Sequence, residues 1–143
     1  MSNTRTRARR LAMQGLYEWH VSNNAPTDVL LHLHEEQEMK NVDREYLSEL
    51  VLTIPNHVEE LDRLLSPFLS RPIIEIDPVE LAIVRLAAYE FAHRPDIPYR
   101  VVINEAVELA KKFGAEQSHK FVNAVLDKLA MQVRATEIKA RPK

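Results

Sequence analysis

Apolar side chains return every three or four positions along nearly the whole of this 143-residue chain. That spacing fits one face of a helix and not a strand, whose two faces alternate with a period of two. Only 2 glycines occur, too few for the tight turns of a sheet or for a glycine loop that cradles phosphate. The pattern predicts an all-α fold of six or seven helices. Apolar residues make up 45% of the chain, enough to pack a core at a length typical of one domain.

The first segment places Ala8, Leu11, Ala12, Gly15, Leu16 and Trp19 on one helical face, and Asn23-Asn24-Ala25-Pro26 ends it. Thr27 or Asp28 is the expected cap of a short second helix carrying Val29, Leu30 and Leu33. A long apolar register then runs from Asp43 to Leu69 across Pro55. Proline removes one backbone donor, so this is a kinked helix or two abutting ones, and the unbroken spacing favours the kink. Asp77-Pro78 reads as an N-cap followed by proline in the first turn. The helix after it, Val79 to His93, is apolar over most of its circumference and is predicted to be central. Next comes a helix from Pro98 to Phe113 with Val102, Ala106, Leu109, Ala110 and Phe113 inward, and with Gly114 as a left-handed stop. The last helix begins near Glu116 or Ser118, ends near Val133 and buries Val122, Val125, Leu126 and Leu129. The division expected is a single domain over 1–134 and a flexible basic tail over 135–143.

Cysteine is absent, which excludes disulfides and thiolate zinc sites and suits a reducing cytoplasm. No apolar run approaches the roughly 20 residues of a membrane span, and the basic start lacks the apolar stretch of a signal peptide. The net charge of −2 conceals an uneven distribution. Arg5, Arg7, Arg9 and Arg10 open the chain with no acid among them, and Arg134, Lys139, Arg141 and Lys143 lie near its end. Between them the chain is acidic, from Glu35 to Asp62. Basic ends on an acidic body point to a localised anion-binding face.

Catalytic and metal chemistry find little support. His32 and His34 are two apart, so on a helix their rings point about 200° away from each other and cannot share an ion. Ser118-His119 lacks a glycine elbow or an oxyanion loop. Arg85, Glu90 and Glu105 fall on apolar helices, where charge is costly unless paired, and an ion pair organising the core is the expectation. The arginines carry more information. Arg7, Arg10, Gln14 and Tyr17 share one ridge of the first helix, where guanidinium forks suit phosphate and a tyrosine can stack on a base. A solvated arm or an acidic protein partner would also accommodate them. Gln117 to Asn123 forms a second polar cluster, with Lys120 and Asn123 on one side and Phe121 about 100° away. It suits single-stranded RNA, although a buried Phe121 with ordinary capping around it fits too.

The segments RARRLAMQGLYEW, ELAIVRLAAYEF and IPYRVVINEAVELAKKFGAEQSHKFVNAVLDKLA together resemble the NusB family of bacterial transcription antitermination factors, in order and over nearly the whole chain. Residues 21–75 match only in pattern. The resemblance implies two packed helical subdomains and no enzyme activity; no cofactor and no metal are expected. It implies binding of boxA-type single-stranded RNA in nascent ribosomal leaders jointly with NusE, a small-subunit ribosomal protein, so that RNA polymerase resists termination. A helical protein-protein adaptor without direct RNA binding is the alternative. By the same resemblance Arg5, Arg7, Arg9 and Arg10 are phosphate contacts, and Arg100, Gln117, Lys120 and Phe121 form a second RNA-contacting region. Phe68 stands where some relatives have tyrosine, and keeps the ring without the hydroxyl. Gln117 stands where some have an acid, so the change removes an anion beside RNA. Tyr17 and Glu80 match positions that face NusE. Ala124 replaces a glycine, which helix propensity favours by about 1 kcal/mol.

Overall fold

The computed structural model describes residues 3–140, and among them every regular element is helical. Seven helices of eight residues or more are followed by one short helix. The chain divides into two compact units, Met1–Val58 and Glu59–Lys143.

The first unit holds α1 (Thr4–Ser22), α2 (Pro26–Glu36) and α3 (Arg44–Thr53), each packed on the other two. Leu11, Leu16, Val29, Leu47, Leu50 and Val51 fill the space between them. Burying each leucine contributes about 1.5–3 kcal/mol. Gly15 sets how closely α1 approaches its neighbours, because a Cβ there would lie 3.0 Å from Val29 and 3.1 Å from Leu33. Asn23 ends α1 with φ 60, and its N–H donates to the Trp19 carbonyl. The second helix starts earlier than Thr27 or Asp28: Pro26 occupies its first turn and Ala25 precedes it without a side-chain cap. Asp43 caps α3 by accepting from the Tyr46 N–H at 3.0 Å. At Pro55 the α geometry gives way to a 3-10 turn, Ile54–His57, so the 43–69 segment is two helices joined by a tightened turn.

In the second unit α4 (Val58–Leu65) precedes two short 3-10 turns, Ser66–Phe68 and Ile73–Glu75. Then come α5 (Pro78–His93), α6 (Tyr99–Phe113), α7 (Ser118–Val133) and α8 (Ala135–Ala140). Asp77 caps α5 through the Val79 and Glu80 amides, at 3.0 and 3.1 Å. Residues 81 to 91 of α5 are buried without interruption, and α6 and α7 pack against it and against each other. Gly114 is not a left-handed stop. Its φ is −89 with extended ψ, and glycine is needed because a Cβ would stand 2.6 Å from Ser118 Cβ and 2.8 Å from the Ala110 carbonyl. Phe113, expected inward, is 40% exposed at the end of α6, and Ile103 is buried on that helix instead. Residues 135–140 of the expected loose tail form α8, while 141–143 lie outside the described residues.

The buried charges find partners that the sequence does not pair. Arg85 forms a two-pronged bond to Asp62 of α4, at 2.9 and 2.8 Å, rather than to Glu90 or Glu105. Arg134, read as part of a basic end, is 6% exposed and donates to the carbonyls of Glu90, Phe91, Arg94 and Ile97 and to the Glu137 carboxylate. It closes the C-terminal end of α5, whose last carbonyls have no partner within the helix.

Candidate nucleic-acid interface

The four N-terminal arginines divide by their position around α1. Arg9 is 4% exposed, on the buried face with Ala8, Leu11 and Ala12, and its guanidinium lies 5.6 Å from the Tyr46 ring centroid. Arg5 lies 4.8 Å from the same ring and 3.8 Å from the Asp43 carboxylate. These contacts explain how a helix with no acid in its first turn tolerates cations at its positive end. Arg7 and Arg10 differ: Arg7 is partly exposed, Arg10 is exposed, and neither has an ion pair among the described residues. Gln14, half-buried, and Tyr17, 40% exposed, continue their ridge. A ridge of two uncommitted guanidinium groups, an amide and a phenol can hold phosphate and offer a ring to a base.

Farther along α1 the Glu18 carboxylate accepts from Asn24 at 3.0 Å and lies 3.0 Å from His32 Nδ1. The Asn24 and His32 bonds lower the Glu18 pKa, outweighing its partial burial. The Glu18 bond in turn raises the His32 pKa. His32 thus serves as a clip between α1 and α2 and does not pair with His34.

In the second unit the residues near the start of α7 separate the same way. Gln117 and Lys120 are exposed, Phe121 is half-buried, and Arg100 is exposed at the start of α6. Ser118 is buried, and its hydroxyl donates to Glu80 at 2.6 Å, which holds that half-buried carboxylate in place. Phe68 is half-buried in the 66–68 turn, which packs against α7. A groove of about 300 Å³ opens between α6 and α7, lined by Tyr99, Arg100, Ile103, Asn104, Asn123 and Asp127. Of these the sequence pattern points to Arg100 and Asn123 but not to Tyr99, Ile103, Asn104 or Asp127. The available signal is the i, i+3, i+7 ridge Lys120, Asn123, Asp127, all exposed on α7.

These features define a small all-helical protein of two units, each presenting exposed cationic and aromatic side chains. Residues 6–131 match the NusB family, and the chain belongs to that family. It is 50% identical to the transcription antitermination protein NusB of Nitrosococcus oceani over 141 residues, covering 99% of this chain and 95% of that one. It is 54% identical to the protein of that name from Pectobacterium carotovorum over 130 residues, covering 91% and 94%. Among solved structures it is similar to T. maritima NusB, with a TM-score of 0.80 and 30% identity over 92% of this chain and 94% of that one. It is also similar to a structure of the antitermination factors NusB and NusE in complex with double-stranded RNA, with a TM-score of 0.82 and 34% identity over 92% and 99%. No helix among the described residues is long and apolar enough to cross a membrane.

Proposed function

We propose that this protein is a transcription antitermination factor that binds boxA-type single-stranded RNA of ribosomal leaders together with NusE, helping RNA polymerase resist termination. It acts in the cytoplasm, as a binding protein and not an enzyme. Family membership over nearly the whole chain supports the reading. The observation that carries it to particular side chains is the contrast on α1, where Arg9 is buried in packing while Arg7 and Arg10 stay available to phosphate. In this reading Arg7 and Arg10 neutralise phosphates from the first unit, with Arg5 adding to their field. Arg100, Gln117, Lys120, Phe121 and Phe68 contact the strand from the second. Tyr17 and Glu80 face NusE, a basic ribosomal protein that a held carboxylate would complement.

The test is RNA binding by the purified protein, alone and with NusE, at about 50 and about 200 mM salt. Single-stranded boxA RNA is expected to bind with marked salt dependence, more tightly with NusE, and better than a duplex of the same sequence. Equal affinity for NusE with and without RNA would favour an adaptor that does not bind RNA, because coupled sites must affect each other reciprocally. A preference for the duplex would overturn the single-stranded assignment.

A further inference from the structure

The groove between α6 and α7 has walls of two kinds. On one side Arg100 lies with its guanidinium 5.6 Å from the Tyr99 ring centroid, giving a planar cation and an aromatic ring. Both are surfaces on which a nucleobase stacks. Ile103, 7% exposed, supplies an apolar floor. On the other side Asn123 donates to Asp127 Oδ2 at 3.0 Å. That bond uses one lone pair of one carboxylate oxygen, and Asp127 is exposed along the groove, so both oxygens retain acceptor capacity. Asp127 has no ion pair among the described residues, and Asn104 has no side-chain hydrogen bond there. Lys120 stands two turns before Asp127 on the same ridge of α7.

A carboxylate repels phosphate and pairs instead with groups that offer it protons, a ribose hydroxyl or a base edge, and of these only the base edge distinguishes one nucleotide from another. Uracil's single N–H donor is flanked by two carbonyls. Cytosine and adenine each place an acceptor nitrogen next to their amino group. Guanine alone presents two adjacent donors, N1–H and the N2 amine, which match the two-oxygen geometry of a carboxylate. We propose that this groove is a guanine subsite: Asp127 accepts from N1–H and N2–H, Asn104 donates to O6, the Tyr99–Arg100 pair covers the face of the base, and Lys120 holds an adjoining phosphate. The inference rests on the RNA-binding reading above and adds base selectivity to it.

The direct test uses the full chain and mononucleotides, followed by the side-chain amide signals of Asn104 and Asn123 in NMR titrations. Guanosine monophosphate is expected to shift them. Inosine monophosphate, which lacks the N2 amine, should bind roughly fivefold more weakly or worse, and uridine monophosphate should leave them in place. Asp127→Asn, which keeps one acceptor oxygen, should bring the guanosine response down to about the inosine level and Asp127→Ala should bring it lower still, with the remaining amide spectrum confirming that each variant is folded. Equal shifts from guanosine and uridine monophosphates, or a guanosine preference that survives in both variants, would overturn the subsite. A parallel titration with single-stranded RNA, carrying one guanine or one inosine, separates the two proposals. If neither RNA binds while mononucleotide selectivity persists, the antitermination reading fails and the subsite stands. If both bind equally, the RNA reading stands and the subsite falls.

Discussion

Arg134 and the Arg7–Arg10 pair are the same side chain put to opposite uses. Arg134 sits at the end of α7, 6% exposed, with its donors engaged by four backbone carbonyls and a carboxylate. Arg7 and Arg10 lie along α1 with no ion pair among the described residues. A guanidinium enclosed by carbonyls has its charge satisfied internally and attracts little from outside. One held at the surface keeps its charge for a ligand and adds little to stability. The number of arginines in a segment therefore does not measure its affinity for a polyanion; the partners of each arginine do.

The sharpest way to break this contrast is Arg134→Ala. It strips four carbonyls and Glu137 of their donor, and should cost about 3–5 kcal/mol, read as a large fall in the thermal midpoint. A fall no larger than that of an ordinary surface substitution would mean that water replaces the guanidinium freely. The double variant Arg7→Ala, Arg10→Ala should do the reverse. RNA affinity should drop several-fold and the salt slope should flatten by about 0.7 for each phosphate that the protein no longer neutralises, while stability stays within about 0.5 kcal/mol. Unchanged RNA affinity would remove the N-terminal arginines from the interface. Arg9→Ala sharpens the division inside one turn. Without the guanidinium beside Tyr46 and without the buried stem, the protein should be less stable by about 1–2 kcal/mol, with a smaller effect on RNA than the double variant has.

The smallest effect belongs to the Glu18–His32 clip. His32 has its pKa raised from 6.5, so its contribution is complete below that value and disappears as pH rises through the folded pKa. Glu18 has its pKa lowered from 4.5, so its contribution is complete above that value and disappears as pH falls through the folded pKa. The clip is thus strongest between about 4.5 and 6.5. The difference in melting temperature between the unsubstituted protein and His32→Ala should be larger near pH 6 than near pH 8, by a small margin because His32 is well exposed. A gap that does not change with pH would show that the pair adds no charge-dependent stability.

Much of the helical layout was legible in the sequence because it depends on local rules. Asp77-Pro78 begins α5 as its cap chemistry requires, and the apolar breadth of that helix marked it as central. The Gly114 stop and the Thr27 or Asp28 cap differ from the structure for separate reasons: glycine at 114 answers to close packing rather than to backbone dihedral, and a proline whose φ already suits a helix can open one without a side-chain cap. Gly114 has no Cβ because Ser118 and Ala110 are too close, and Pro26 takes the first turn of α2 ahead of both candidate caps. The candidate site was only half legible. Spacing put Arg7, Arg10, Gln14 and Tyr17 on one ridge, but it could not tell that Arg9 turns toward Tyr46, a residue 37 positions later.

The sequence by itself determined most of the helices, their order, and most of their apolar faces, since hydrophobic period, caps and prolines act within a few residues of one another. The tertiary structure alone decided which charges are spent inside the protein. The Arg85–Asp62 pair spans 23 positions and the Arg134 bonds to the end of α5 span about 40. Partners that far apart are chosen by how helices pack, and an electrostatic contact falls off over distances that only the folded chain sets.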